Sequence, residues 1–311
     1  MPPSLGWIVQ PSVFDPPPGP QASGSDLARS ILSADERHIG IALDAGFDTL
    51  WVEDHMGWGE TSHLECLTTL AWTAGRHPGP RYGTMVCGQA FRNPAYLAKV
   101  AANLQLLTGG QFLLGMGAGN NGGEHAEFGF PFAAPGERVD QMDEAIRIVK
   151  LLWQGGRQTF EGRHYAIHDA VVAPRPEPPI PLVVGGGGER RTLRVVAEQA
   201  DWWCADVEPL EVFMRKSAVL DEHCVAVGRD PASIVRSQVT WISVEDEPDR
   251  LVRWPDLHIV AGDPDAVAAD LLRFRRAGVD HFQIRFMDYP AEDGLRRFVE
   301  RVQPRLAEAW D

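Results

Sequence analysis

Short apolar runs alternate with amphipathic segments along the chain. Eight of these runs are predicted to be β-strands, because each is short, apolar and bounded by turn residues. The predicted strands are Leu5–Gln10, Phe47–Val52, Arg81–Cys87, Gln111–Met116, Ile180–Val184, Asp201–Ala205, Ile234–Val244 and Asp280–Phe286. Helical sequence follows each of them, and this alternation favours a closed (β/α)8 TIM barrel over an open doubly wound sheet.

The helices are predicted from start signals and from apolar residues at helical spacing. Ser33 is the candidate N-cap of the first helix, which ends near Gly46, and Pro94 opens the helix that runs to Leu107. The other predicted helices are Ser62–Gly75, Gly136–Trp153, a helix from the glycines at 185–188 through Ala200, Glu208–Val227, Asp263–Ala277 and Ala291–Trp310. A small hairpin is predicted over Thr159–Ala170.

Three segments are predicted to be long connections. Pro11–Gly24 is rich in Pro, Gly and Ser, which is typical of a loop. Ala118–Pro135 and Glu245–Val260 both follow strands, so they are expected at the C-terminal face of the barrel, where long loops are often functional. No segment resembles a linker, and we expect one domain over residues 1–311.

Composition narrows the classes of partner. The formal net charge is -14, so neither nucleic acid nor an anionic membrane surface is an expected partner. No apolar run reaches about 18 residues, and the N-terminus lacks the pattern of a secretory signal. Cys66, Cys87, Cys204 and Cys224 form no CxxC pair, which favours reduced thiols in a cytoplasmic enzyme.

The most distinctive motif is a run of four glycines after predicted strand five. Gly185, Gly186, Gly187 and Gly188 precede Glu189-Arg190-Arg191 at a predicted helix start. Glycine allows the backbone to approach an anion, and N–H groups at a helix N-terminus point toward it. We therefore predict a phosphate site here; the alternative is a tight turn that needs only flexibility.

A second motif, Glu53-Asp54-His55, directly follows predicted strand two. Side chains at the C-terminal end of a barrel strand enter the active site. A neighbouring carboxylate fixes the tautomer of an imidazole and suits it to proton transfer. The alternative is a solvated loop histidine, since the chain contains ten histidines.

Two further segments carry small residues at strand ends. Gly115–Asn121 has a GxGxG pattern without the context of a dinucleotide-binding fold, so it predicts either a turn or a surface for a flat ring that Asn120 and Asn121 could hydrogen-bond. Tyr82–Gly88 reads by itself as barrel core. His63 and Glu65 lack a third ligand at a suitable spacing, and no metal site is predicted.

Together these motifs resemble the luciferase-like monooxygenase superfamily, and in particular its branch of oxidoreductases that depend on the deazaflavin coenzyme F420. The resemblance covers nearly the whole chain. Its strongest stretches are Ala45–His55, Arg92–Lys99, Thr108–Gly119, Phe160–Tyr165 and the glycine run. The fold that it implies is the bacterial luciferase-like TIM barrel with insertions at the C-terminal face.

The resemblance also implies roles for particular residues. Asp54 and His55 match the family's pair beside the reactive ring carbon, with His55 as acid/base, and Met85-Val86 matches a non-prolyl cis peptide beneath the ring, next to Cys87. Gly119-Asn120 matches the loop at the ring's pyrimidine edge. Some members have a glutamate, serving as proton donor, where Asn120 stands. The remaining matches form the family's phosphate site: Gly185, Gly186, Gly187, Gly188, Glu189 and Arg190.

The expected function is hydride transfer between coenzyme F420 and a small organic substrate. One alternative is a monooxygenase that uses reduced flavin mononucleotide (FMN), and another is a non-catalytic protein that binds a flavin or deazaflavin. The family also implies a homodimer.

Overall fold

The computed structural model of the protein describes residues 4–10, 24–57, 63–254 and 257–310. The strands within these residues are β1 (Ser4–Val9), β2 (Thr49–Val52), β3 (Arg81–Thr84), β4 (Cys87–Gly88), β5 (Phe112–Gly117), β6 (Gln158–Glu161), β7 (Ala166–Ala170), β8 (Leu182–Gly185), β9 (Trp202–Ala205), β10 (Val235–Val244), β11 (Ile259–Gly262) and β12 (His281–Phe286). Eight of them close a parallel barrel in the order β1-β2-β3-β5-β8-β9-β10-β12, since β12 pairs with β1. The predicted (β/α)8 barrel is confirmed.

Helices cover the outside of the barrel. They are α1 (Gly24–Asp44), α2 (Cys66–Arg76), α3 (Pro94–Leu107), α4 (Gly122–Glu127), α5 (Pro135–Trp153), α6 (Thr192–Gln199), α7 (Leu210–Ala226), α8 (Pro264–Arg276), α9 (Asp293–Arg297) and α10 (Gln303–Trp310). Among the residues that the structure describes, none of these helices combines the length and apolar character needed to cross a membrane.

The alternation of side chains along the strands divides the core in two. On β1 and β2, Trp7 and Leu50 point outward and pack in the layer beneath the helices, whereas Ile8 and Trp51 point into the barrel. The interior near the N-terminal end is partly polar: Trp51 Nε1 donates a hydrogen bond to His281 Nε2 over 2.9 Å, and both rings are fully buried. The bottom of the barrel is therefore closed by packed rings, which leaves the C-terminal end for a site.

The first helix begins earlier than predicted. α1 starts at Gly24, and Ser33 lies within it, with its hydroxyl donating to the carbonyl of Arg29 instead of capping a helix end. A hydroxyl four residues along a helix can bond back to the preceding turn, so a serine is not by itself a start signal. The predicted loop Pro11–Gly24 lies outside the described residues except for Gly24 itself.

Other helices and strands also begin or end at residues that differ from the predicted ones, for local reasons. The second helix begins at Cys66, not Ser62, because Glu65 caps it by accepting from Thr68 N. Predicted strand three is divided into β3 and β4 by a cis peptide bond between Met85 and Val86. The connection Ala118–Pro135 contains α4, and the connection after β10 contains the start of β11, which pairs with β10 outside the barrel ring.

Candidate active site

A cavity of about 390 Å³ opens at the C-terminal end of the barrel. It lies where the strands meet the β5–α4 connection and the start of α6. Eight of the thirteen residues given catalytic or cofactor-binding roles by the resemblance line it: Asp54, His55, Met85, Val86, Gly119, Asn120, Gly185 and Gly186. The barrel thus brings together segments that are more than a hundred residues apart in the chain.

The floor of this cavity is formed by Val86 and the glycines that surround it. A Cβ placed on Gly117 would lie 2.6 Å from Val86 Cγ2, and a Cβ on Gly185 would lie 2.7 Å from the same atom. A Cβ on Gly115 would lie 2.0 Å from the carbonyl oxygen of Thr84. Only glycine allows this close approach, so the glycines of β5 and β8 make room for the bulge after β3.

Alanine at position 185 is expected to disturb this packing. The Cγ2 atom of Val86 has no room to retreat because Gly115 and Gly117 enclose it from β5, so Gly185→Ala should lower the free energy of unfolding by about 1–3 kcal/mol. Urea titration followed by tryptophan fluorescence measures the change. Gly75→Ala in α2 is the control: no atom lies within 4 Å of its Cβ, and helix propensity predicts no loss of stability. Equal effects of the two substitutions would contradict the close packing at Val86.

Asp54 is held in a buried ionic network. Arg92 Nη1 donates to Asp54 Oδ2 over 2.6 Å and Nη2 donates to Oδ1 over 2.8 Å, while Gly88 N donates to Oδ2 over 2.8 Å. Arg92 also pairs with Glu65, the residue that caps α2. Asp54 therefore ties the end of β2 to β4 and α2, which is a positioning role.

The carboxylate that pairs with His55 is Glu124, not a residue of the Glu53-Asp54-His55 motif. His55 Nδ1 lies 3.1 Å from Glu124 Oε2, and Glu124 Oε1 accepts from Met56 N and Gly57 N. Asn121 caps α4 by accepting from Glu124 N, which orients this carboxylate. A carboxylate on Nδ1 favours the tautomer that carries its proton there, so the lone pair of His55 is on Nε2.

A second imidazole lies against this pair. The His63 ring meets the His55 ring edge-on, with centroids 5.9 Å apart. Burial, together with the charge of His55, lowers the pKa of His63 to about 4. His63 is therefore neutral near pH 7 and contributes no charge to the site.

His125 is a site residue that the sequence did not indicate. Its Nδ1 lies 2.8 Å from the carbonyl oxygen of Asn121 and so carries a proton, while Nε2 is buried without a hydrogen-bond partner among the described residues. The ring is packed between Phe91 and Phe132, and it lies beside Gly119. A buried acceptor at a cavity wall is a ready partner for a ligand N–H.

The glycine run divides between the cavity and its surroundings. Gly185 and Gly186 line the cavity, and Gly186 has a φ of 110°, which favours glycine. A Cβ on Gly187 would meet Lys216, and a Cβ on Gly188 would meet the Thr192 hydroxyl. The helix begins later than predicted: α6 starts at Thr192, four residues after Gly188.

Three of the predicted cofactor contacts lie elsewhere. Cys87 points outward into the core beneath the helices. Glu189 pairs with Arg215 over 2.9 Å, and Arg190 lines a separate groove between α5 and α6. These three residues are therefore not among those that line the cavity, and their predicted contacts with the cofactor stay predictions.

A parallel barrel with a site built from the carboxyl ends of its strands is the architecture of a barrel enzyme. The chain belongs to the luciferase-like monooxygenase family, whose model matches residues 32–254. Its cavity, with the His55–Glu124 pair above a floor of glycine and Val86, lies largely within that matched range.

Similar proteins refine this assignment. An F420-dependent glucose-6-phosphate dehydrogenase of Kineococcus radiotolerans is 31% identical over 235 residues, which cover 73% of this chain and 69% of that protein. The solved structure of an F420-dependent secondary alcohol dehydrogenase with an F420–acetone adduct superimposes with a TM-score of 0.82 at 18% identity, covering 98% of this chain and 99% of that one. A Baeyer–Villiger monooxygenase from Pseudomonas putida, solved with FMN, superimposes with a TM-score of 0.76 at 16% identity, covering 98% and 99%.

Proposed function

We propose that this protein is an oxidoreductase that transfers a hydride between coenzyme F420 and a small organic substrate. The observation that carries the proposal is the His55–Glu124 pair at the wall of a cavity floored by Val86 and glycines. Relatives named as F420-dependent dehydrogenases support the choice of cofactor.

The residues of the cavity fit a flat deazaflavin ring. Val86, Gly117 and Gly185 present a floor of small groups against which a planar ring system can lie. The unpartnered Nε2 of His125, next to Gly119, suits an N–H at the ring's pyrimidine edge. Gly186, Thr192 and Arg138 line the cavity near the start of α6 and would hold the phosphate.

The chemistry divides between cofactor and protein. A deazaflavin held against Val86 and the glycines of β5 and β8 would supply the acceptor for the hydride, and thus for the two electrons, that an alcohol carbon gives up. His55 Nε2 takes the hydroxyl proton, so the alcohol becomes a carbonyl compound. Glu124 holds the imidazole in the required tautomer and balances the charge that the proton brings. Asp54 and Arg92 keep the end of β2 in place.

Cofactor binding tests the proposal without any substrate. Apoprotein is titrated into F420 and, separately, into FMN, and quenching of cofactor fluorescence is followed. We expect saturable quenching of F420 at lower protein concentration than of FMN. Tight binding of FMN with none of F420 would favour the monooxygenase alternative instead. Tight F420 binding with no turnover of an alcohol or a carbonyl compound would favour a protein that only binds the cofactor. Unchanged turnover in a His55→Ala variant would contradict the acid/base role of His55, whichever cofactor binds.

A homodimer, a cytoplasmic location and a single domain over residues 1–311 stay predictions. The homodimer rests on the family resemblance, the single domain on the lack of a linker-like segment, and the cytoplasmic location on the spacing of the four cysteines, all of which are buried free thiols. A small-molecule substrate is consistent with an enclosed site of this size.

A further inference from the structure

The cavity has two chemically distinct sides. The first, called the glycine side, follows β3, β5 and β8 and consists of Val86, Gly117, Gly119, Gly185 and Gly186. The second, called the tryptophan side, runs from β9 round to β2 and consists of Glu53, Asp206, Val207, Val239 and Trp241. A cofactor ring on the glycine side leaves the tryptophan side to the substrate.

The lysines of the chain, and Arg138, have hydrogen-bond or ion-pair partners outside the tryptophan side. The residues that the structure does not describe contain no lysine, arginine or histidine. The three lysines are bonded to Ala173 O, Gln199 O and the Glu208 carboxylate. Arg138 lines the glycine side, where it donates to Ala118 O and Ala133 O. No lysine therefore faces the tryptophan side within the described residues.

Arg285 contacts two residues of the tryptophan side, Glu53 and Trp241. It lies 3.5 Å from Glu53 Oε2, and its Cζ lies 5.2 Å from the centre of the Trp241 ring. Burial lowers its pKa, although the charge of Glu53 favours its protonated form. Asp206 adds a second carboxylate to this side, so two carboxylates stand against one guanidinium.

A phosphate group is poorly matched to this arrangement. A dianion entering beside Glu53 and Asp206 meets like charges in a partly desolvated space, where their repulsion is stronger than in water. Arg285, the cation that contacts this side, already faces Glu53. Separating Arg285 from Glu53 would leave the Glu53 carboxylate unpaired. The tryptophan side therefore disfavours anions.

The tryptophan side can instead bind an uncharged group. Val207 and Val239 are apolar, and Trp241 meets Trp254 edge-on with ring centroids 5.6 Å apart. Trp241 Nε1 is buried without a hydrogen-bond partner among the described residues, so it can donate to a hydroxyl or carbonyl oxygen. His63, held neutral by burial, adds no charge to this region.

We infer that the substrate is an uncharged alcohol with an apolar body, or the corresponding carbonyl compound, and not a phosphorylated sugar. This inference rests on the proposed function, since it assumes a hydride acceptor on the glycine side. The inferred substrate therefore differs from the one in the names of the relatives called glucose-6-phosphate dehydrogenases. In the oxidation, the alcohol carbon would give its hydride to F420 and the hydroxyl group would give its proton to His55 Nε2.

The test compares a neutral with an anionic substrate on the same enzyme. F420 binding is first verified by fluorescence quenching, which tests the cofactor separately. Reduction of F420 is then followed with cyclohexanol and with glucose 6-phosphate, and we expect kcat/KM to be at least about tenfold higher for cyclohexanol. A ratio below one, or no turnover of cyclohexanol by enzyme that binds F420, overturns the inference.

Two variants test whether charge is the cause. Glu53→Gln removes the carboxylate beside Arg285, and Asp206→Asn removes an exposed one at the rim; each should lower the ratio of the two kcat/KM values by raising the value for glucose 6-phosphate. Asp206→Asn serves if Glu53→Gln does not fold. Glu300→Gln, exposed beyond α9, is the matched control and should leave the ratio unchanged. Unchanged ratios in both site variants contradict the electrostatic basis.

Discussion

Replacing Arg92 with methionine is expected to lower the free energy of unfolding by about 3–5 kcal/mol. Arg92 is 8% exposed and Asp54 is fully buried, so the substitution leaves the Asp54 carboxylate buried with only Gly88 N as a partner. Burial disfavours the charged form of Arg92, yet its hydrogen bonds to Asp54 outweigh this and raise its pKa. The loss also removes the link to Glu65 at the start of α2.

Urea titration measures this effect, and a double variant isolates its cause. Arg92→Met with Asp54→Leu removes both charges and should recover part of the lost stability, because no unpaired carboxylate remains. Arg296→Met is the control: the Arg296 side chain is 54% exposed and its partner Glu292 keeps its ion pair with Arg37, so the change should stay within about 0.5 kcal/mol. A loss below about 1 kcal/mol for Arg92→Met would argue that the network does not stabilise the site.

His55→Ala is expected to lower kcat by about 10²–10⁴, the usual contribution of a positioned acid/base. The variant should still quench F420 fluorescence, because the floor of Val86 and glycines is untouched. Turnover is measured with cyclohexanol, the neutral substrate of the charge comparison. A loss that appears only in KM would assign His55 to binding instead of proton transfer.

Glu124→Gln distinguishes a positioning role from a merely structural one. The amide oxygen still accepts from Met56 N and Gly57 N, but the amide NH2 then faces His55 Nδ1 and favours the tautomer that carries the proton on Nε2. The expected result is a loss of kcat of about tenfold with unchanged quenching of F420 fluorescence. Loss of F420 quenching together with activity would leave Glu124 with only a structural role.

The elements with strong local signals were predictable. The apolar runs that became β1, β5 and β12 and the Pro94 helix start lie close to their predicted bounds. β11 was missed because its four residues follow a polar connection and gain their strand geometry by pairing with β10. Local propensity holds no information about such pairing.

The site residues were likewise predictable only where the signal is local. The motif Glu53-Asp54-His55 indicated the end of β2, but it could not show that Asp54 pairs with Arg92 and His55 with Glu124, since both partners are distant in the chain. Glu124 and His125 belong to a short helix within an expected loop. Arg190 shows the opposite case: it is only four residues from Gly186 in the sequence, but it lines a separate groove between α5 and α6.

The division of the cavity into two sides also has a consequence for how such a protein can diversify. Val86 is enclosed by glycines from two other strands, so substitutions on the glycine side disturb several elements at once. On the opposite side, Val207 follows β9 and is half-buried, and Trp254 lies in the connection after β10 and is exposed, so a change at either position affects less of the core. Laboratory selection for new substrates should therefore accumulate changes at these positions, while the residues of the glycine side stay unchanged.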